Sequence, residues 1–168
     1  KYDDCDLKDV IISLPIAFTD ADITDYEGFI KNHPNLYYEA NGIDALGLLK
    51  KCGVKKEHIY LGERLYALND FAYDFLKENY SDNVYLPLEL SYKELLSYKN
   101  ANGRMLLYGR LPLMYTANCQ MKNSLGCNKN NGRLYLKDKK NKDFLVICDC
   151  NTCTNIIYNA DVTFLIHK

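Results

Sequence analysis

Four cysteines near the end of the chain have the spacing of a thiolate metal site. Seven residues lie between Cys119 and Cys127, and Cys150 and Cys153 form a Cys-x-x-Cys pair after a further 22 residues. A short-spaced pair of thiolates binds one metal ion with little loss of chain entropy, and two such pairs complete a tetrahedral shell. The spacing therefore predicts a four-thiolate centre that holds either zinc or a 4Fe-4S iron–sulfur cluster.

The other three cysteines have different interpretations. Cys148 lies beside the Cys-x-x-Cys pair and is an alternative ligand to Cys150, whereas Cys5 and Cys52 are interpreted as small buried apolar side chains. A thioredoxin-like redox use of Cys150 and Cys153 is less favoured, because CNTC does not open a helix after a strand. Five of the seven cysteines fall in the last third of the chain. That distribution fits reduced thiols at one site better than an extracellular disulfide framework, and it predicts a cytoplasmic location.

The elements that must position this centre repeat one pattern, in which an apolar run is followed by an amphipathic stretch. Strand-like runs recur about every 25 residues, which is the length of one strand and one helix. They are VIISLPIAF (10–18), LYYEAN (36–41), HIYLGE (58–63), VYLPLEL (84–90) and RMLLYGRLPLM (104–114). This pattern predicts an α/β fold with a parallel sheet and helical crossovers, and about five units form only part of a TIM-like barrel of eight.

The helices between these strands have predicted ends. The segments DADITDYEGFIKN, GIDALGLLKKCG, NDFAYDFLKENY and SYKELLSYKN space their apolar residues at the helical period. Asp22, Asn69 and Ser91 are predicted N-caps, and Gly53 is a predicted stop.

The sequence changes character after residue 115. TANCQMKNSLGCNKNNG is polar and predicts a loop, RLYLKDKKNKDFLVICDC predicts two strands about a tight turn, and NIIYNADVTFLI predicts another strand. We therefore expect βα units over 1–114 and a cysteine-bearing β-hairpin region over 115–168, within a single domain.

Composition limits the classes of partner. The net charge of −1 and a pI near 6.3 provide no general attraction to nucleic acid. No apolar run is long enough to cross a bilayer, so no membrane span is expected. The 168 residues begin at Lys1 without Met and without a leader, which suggests part of a longer chain.

Two segments carry a family resemblance. LLYGRLPLMYTANCQMKNSLGC and LYLKDKKNKDFLVICDCNTCTNIIYN resemble the peptidase U32 family, the collagenase-like proteins. ISLPIAF, LGERLYALNDFAYDFL and LPLELSYKELLSY resemble the preceding units of that family, so the likeness covers most of the chain. It implies the C-terminal half of the βα barrel region of the family. The family turn Leu-x-Asp-Arg-x-Gly runs here from Leu136 to Asn141, with Lys139 and Asn141 in place of Arg and Gly.

The resemblance implies several functions. Members were named as peptidases, while relatives are oxygen-independent hydroxylation proteins that act on tRNA, ribosomal RNA or quinone precursors, some with a four-cysteine iron–sulfur cluster. Hydroxylation is our leading hypothesis, because it explains the thiols. By position, the resemblance makes Cys119, Cys127, Cys150 and Cys153 the ligands of the cluster. A collagenase-like peptidase and a non-catalytic module with structural zinc are the alternatives. The expected partners are the rest of the barrel or chain, an RNA or peptide substrate, and a second copy through an open sheet edge.

Polar residues near the ends of the predicted strands are candidates for catalysis, because chemistry in βα barrels gathers there. We select Glu89, Arg110 and Asn69. Glu89 interrupts an apolar run, so it is expected to pair with an arginine or to face a polar pocket. The planar fork of Arg110 suits an anionic substrate or a carboxylate such as Glu89. No H-E-x-x-H or G-x-S-x-G motif occurs, so the sequence supports neither a zincin nor a serine peptidase.

Overall fold

The computed structural model describes residues 10–97, 103–127, 129–150 and 152–165. The chain divides into two compact units, Lys1–Met105 and Leu106–Lys168. The change of character predicted after residue 114 therefore falls within the second unit, close to the end of one of its strands. Cys5, interpreted above as a buried side chain, lies outside the described residues.

The first unit contains a parallel sheet with helices between its strands. Its three strands pair in chain order, β1 with β2 and β2 with β3. The strands are β1 (Ile11–Ser13), β2 (Tyr37–Ala40) and β3 (Ile59–Leu61), and the helices are α1 (Asp20–Asn32), α2 (Ile43–Lys51), α3 (Asp70–Asn79) and α4 (Tyr92–Ser97), with a 3₁₀ turn at Lys56–His58.

Two further segments continue the parallel order without forming full strands. Single parallel bridges join Tyr60 to Asn83 and Tyr85 to Arg104, where 84–90 and 104–114 were predicted as strands. The coarser prediction, a mixed α/β fold with a parallel sheet, is thus confirmed. The described residues form no closed barrel, and their parallel sheet has three strands, so the predicted TIM-like barrel is not confirmed.

Local sequence signals explain most helix ends. Asn69 caps α3 by accepting a hydrogen bond from the Ala72 N–H at 2.9 Å, and Gly53 follows α2 with a φ of 75°, a conformation that suits glycine. The prediction of Asp22 as an N-cap is wrong, although Asp22 does belong to the capping motif of α1. Thr19 is the N-cap of α1, and Asp22 is the third helical residue, whose carboxylate accepts from the Thr19 N–H.

The core of the first unit lies between the sheet and its helices. Alternate residues of β2 and β3 point to this side, among them Tyr38, Ala40 and Leu61, each with no exposed surface. Cys52 is half-buried and packs against the same core. Within the described ranges, no helix has the length and apolar composition needed to cross a membrane.

The second unit is built from antiparallel strands and one short helix. A four-stranded sheet has the order β5-β8-β7-β6, and a separate two-stranded sheet pairs β4 with β9. Its elements are β4 (Tyr108–Gly109), β5 (Pro112–Thr116), α5 (Gln120–Leu125), β6 (Gly132–Lys137), β7 (Asp143–Asp149), β8 (Thr154–Tyr158) and β9 (Thr163–Phe164).

Two predictions about the second unit are corrected. The run 104–114 is not one strand, because Gly109 turns the chain at a φ of 152° and Pro112 starts a new strand in another sheet. The polar segment predicted as a loop contains α5. The predicted hairpin of β6 and β7 is confirmed. Asn141, in place of the family glycine, has a φ of 60° in its turn, a region that asparagine tolerates.

We predict that Leu61→Ala lowers the free energy of unfolding by about 2–5 kcal/mol, because it removes a fully buried β3 side chain from the core of the first unit. Urea unfolding of the full chain measures this. Leu68→Ala is the matched control, since 53% of Leu68 is exposed, and its cost should stay well below that of Leu61→Ala. Equal effects of the two substitutions would show that the core is placed wrongly.

Candidate functional site

One end of the four-stranded sheet collects the cysteine-bearing segments. Gly132 pairs with Cys148, Cys148 pairs with Asn155, and Asn155 pairs with Thr116, which forms a row across β6, β7, β8 and β5. Because neighbouring strands are antiparallel, the ends of β5 and β7 and the starts of β6 and β8 share this edge. The segments that carry the thiols must therefore leave or enter the sheet there.

The Cys-x-x-Cys pair lies in the connection between β7 and β8. Asp149 pairs with Thr154, so four residues close this hairpin. Cys153, the last of them, has a φ of 51°, a left-handed conformation that completes the turn. The hairpin therefore presents Cys150 and Cys153 together at the edge of the sheet.

Hydrogen bonds attach this hairpin to the segment that precedes β6. The Cys150 N–H donates to Asn131 Oδ1 at 2.7 Å, and the Cys150 thiol donates to the Asn130 carbonyl at 3.1 Å. Cys127 lies in this same preceding segment. The two halves of the predicted ligand set are thus connected through the backbone of 127–131.

Cys119 begins α5. Its sulfur accepts the Lys122 N–H at 3.4 Å as the N-cap, and Gly126 ends the helix at a φ of 84°. Cys119 and the Met121 backbone lie close enough to the Cys148 thiol to act on its pKa. The short helix therefore lies against the row at β7.

The five thiols share one neighbourhood. Burial raises the pKa of the Cys150 thiol, and the charges of Cys119, Cys127, Cys148 and Cys153 raise it further. Charges act in this way only over short distances. Cys150 therefore lies within electrostatic range of the other four thiols, and the set of four ligands stays a prediction from their spacing.

The thiols differ in exposure. Cys148 is buried, Cys119 and Cys150 are half-buried, and Cys127 and Cys153 are exposed. Burial raises the pKa of Cys148, as does the neighbouring Cys119, while the hydrogen bond from Met121 lowers it. Across the described part of the chain, no three or more His, Cys, Asp or Glu side chains form a group that could hold a metal ion as they stand.

Close packing of α5 explains why the residue opposite Cys148 on β6 is a glycine, Gly132. A Cβ on Gly132 would collide with the terminal methyl of Met121. The absence of a side chain at Gly132 therefore lets α5 approach the sheet beside Cys148.

We predict that Gly132→Ala moves the end of the Met121 side chain and increases the rate at which a thiol reagent modifies Cys148, which lies opposite residue 132 in the sheet. Mass spectrometry after timed alkylation measures the rate at this residue. Gly28→Ala is the control, since nothing lies within 4 Å of its added Cβ. Unchanged modification of Cys148 in Gly132→Ala would contradict the placement of α5.

The first unit has a second polar group, on the sheet face opposite its helices. Glu39 is at its centre: Ser13 Oγ donates to one carboxylate oxygen at 3.0 Å, and Arg104 Nη1 contacts the other at 3.0 Å. The Arg104 guanidinium also lies 5.1 Å from the ring centre of Tyr60 and 5.8 Å from that of Tyr85. These five residues are called the polar sheet face.

Glu63 follows the carboxyl end of β3 close to this face. Burial raises the pKa of Glu63, Arg64 lowers it, and the charge of Glu39 raises it. The preceding Gly62 allows this turn, because a Cβ there would collide with the side chain of Asn41. The carboxyl ends of the parallel strands thus hold a protonatable carboxyl group, as the general rule for βα folds leads one to expect.

The three residues selected for catalysis have other contacts. The side-chain oxygen of Asn69 is occupied as the cap of α3. The Glu89 side chain is exposed and accepts the Tyr66 hydroxyl at 2.7 Å, so the expected cost of burying its carboxylate does not arise. Asn69 and Glu89 belong to the first unit and Arg110 to the second.

Arg110 stabilises a turn of the second unit. Its Nη1 donates to the Asn159 carbonyl at 2.8 Å and also to the Ala160 carbonyl. The arginine that pairs with a carboxylate in the parallel sheet is Arg104, which sequence reasoning missed together with its partner Glu39. The available signal was the alternation of YYEA, which places Glu39 on the face opposite Tyr38 and Ala40.

We predict that Glu63→Gln stabilises the chain at pH 7 and has little effect near pH 4. A carboxyl group whose folded pKa is raised favours folding when protonated, and this contribution is lost as the pH rises through the folded value. The amide stays neutral throughout and avoids that loss. Urea midpoints at the two pH values measure the difference.

Glu89→Gln is the matched control for this prediction, because its side chain is exposed and an amide oxygen still accepts the Tyr66 hydroxyl. If the urea midpoints of Glu63→Gln and Glu89→Gln changed equally between pH 4 and pH 7, the burial of Glu63 would be contradicted.

Comparison with protein-family models, with curated proteins and with solved structures finds no match to this chain. The resemblance to the U32 family stays a prediction from the quoted motifs.

Proposed function

We propose that the second unit binds one metal centre, an iron–sulfur cluster or zinc, through thiolates of the gathered cysteines. The observation that carries this proposal is that the cysteine-bearing segments meet at one edge of the sheet, where Cys150 is hydrogen-bonded to Asn130 and Asn131. Sulfur donors from two chain segments suit both zinc and an iron–sulfur cluster, so the donor set does not distinguish between these two centres. Cys119, Cys127, Cys150 and Cys153 are the proposed ligands, as their spacing predicts.

The exposure of the thiols supports a site that closes on binding. The exposed Cys127 and Cys153 side chains have room to move toward the half-buried Cys119 and Cys150. Binding would convert thiols to thiolates and release protons, because only the deprotonated sulfur is a ligand. Cys148 is buried in the row of the sheet and is proposed to support this site or to replace Cys150 in it.

We propose that the whole chain is part of an enzyme of the U32 kind, in which the parallel sheet belongs to a βα barrel. The sequential parallel pairing of β1, β2 and β3 supports this, and so does the further bridge from Tyr85 to Arg104. The proposed reaction is oxygen-independent hydroxylation of an RNA base or a similar substrate, a two-electron oxidation in which a bound iron–sulfur cluster would help to carry electrons away from the substrate. The polar sheet face and Glu63 are proposed to lie where the substrate binds.

The two alternatives give different results in the same preparation. A fully ligated zinc without activity toward RNA or aromatic substrates would favour the structural module. Degradation of denatured collagen without a requirement for metal would favour the peptidase. Anaerobic purification, followed by visible absorbance and by analysis of iron, sulfide and zinc, ranks these three functions.

We predict that Cys119→Ser and Cys153→Ser each reduce the metal content of the anaerobically purified chain to a small fraction of the wild-type amount, because each removes one sulfur ligand. Metal analysis per mole of chain measures the loss. Cys52→Ser is the matched control, since Cys52 packs against the core of the first unit, and it should retain the metal.

Full metal content in both Cys119→Ser and Cys153→Ser would overturn the ligand assignment. The same analysis of Cys148→Ser and Cys150→Ser decides which of these two thiols completes the set.

A further inference from the structure

Asn155 is a buried polar side chain with an unpartnered atom. Only 1% of it is exposed, and its Oδ1 accepts no hydrogen bond within the described part of the chain. Its Nδ2 donates to the Thr116 carbonyl at 3.4 Å, which is long for such a bond. A buried amide oxygen without a partner destabilises the fold, and an apolar residue would avoid that cost.

The position of Asn155 connects it to the thiols. Asn155 is directly opposite Cys148 in the antiparallel pair, and residues opposite each other in such a pair project from the same face. Cys119 and the Met121 backbone lie close to Cys148, since both act on the pKa of its thiol. The amide of Asn155, on β8, therefore lies beside the thiol site.

We infer that Asn155 is a positioning residue of the thiol site, whose amide hydrogen-bonds a sulfur of that site. This inference rests on the proposed function, in which the sulfurs bind metal. The unpartnered Oδ1 can accept the S–H of the neighbouring Cys148 thiol, and the second N–H of the carboxamide can donate to a thiolate. Such a bond fixes the direction of the sulfur, and loss of a comparable outer-shell partner lowers metal affinity about 10–100-fold.

Substitution of Asn155 by leucine separates this role from a structural one. In Asn155→Leu, the affinity of the reduced full chain for Zn²⁺ should fall about 10-fold or more. The urea midpoint of the metal-free chain should stay the same or rise, since an unpaired polar group is removed. Competition with a chromophoric chelator measures the affinity. Ile157→Ala, two residues along β8, is the control that should lower the metal-free midpoint and leave Zn²⁺ affinity nearly unchanged.

A pair of variants with similar shapes keeps the inference testable if leucine prevents folding. Asn155→Thr retains a hydroxyl donor for the sulfur and Asn155→Val does not, so the threonine variant should bind Zn²⁺ several-fold more tightly. Equal affinities of these two variants, or wild-type affinity in Asn155→Leu, would overturn the inference. So would a metal-free midpoint of Asn155→Leu that falls as far as that of Ile157→Ala.

The failures of the two proposals are distinguishable. If Cys153→Ser loses Zn²⁺ while every Asn155 variant keeps wild-type affinity, only the role of Asn155 is wrong. If the wild-type chain binds no Zn²⁺ and contains no other metal, the proposed function fails and the role of Asn155 fails with it.

Discussion

The backbone pairing of β7 with its two neighbours determines where the thiols of this protein lie. Gly132 and Asn155 flank Cys148 in register, so the ends of β5 and β7 and the starts of β6 and β8 meet at one edge of the sheet. A shift of one residue in either pair would send Cys148 to the opposite face. The apolar residue Val146 opposes that shift, because it is fully buried on the same face as Cys148. Hydrophobic burial thus sets the register, and the register gathers the sulfurs.

The two units divide the expected chemistry between them. The antiparallel unit holds the sulfur donors, while the parallel unit holds a carboxylate–arginine pair, two tyrosines near it and a carboxyl group of raised pKa. Aromatic and charged side chains on one face of a parallel sheet are unusual, since such sheets are normally covered by apolar contacts on both faces. In the proposed enzyme, that face would belong to the interior and mouth of a larger βα barrel. The proposed reaction needs both kinds of group, a metal centre that can take up electrons from the substrate and a polar surface that binds it.

Sequence reasoning predicted the elements whose signals are local. Alternation of strand-like and helical segments predicted the parallel sheet, and Asn69 and Gly53 marked helix ends correctly. The hairpin of β6 and β7 followed from two apolar runs about a charged turn. The short helix α5 was missed because six residues carry too little periodicity to distinguish a helix from a polar loop. The pairing of Glu39 with Arg104 was also missed, since the partners are far apart in sequence and meet only through the order of the strands. For the thiol site, spacing indicated the four ligands, but the inclusion of Cys148 depends on the register of β7, which composition does not encode.

The central claim is that sulfurs from the two segments share one inorganic centre. X-ray absorption spectroscopy of the anaerobically purified full chain, at the edge of whichever metal it contains, tests this most directly. The account predicts a first shell made of sulfur alone, at about 2.3 Å if the metal is zinc. A first shell of nitrogen or oxygen, or a sulfur shell that persists unchanged when Cys119 and Cys127 are both replaced by serine, would contradict it.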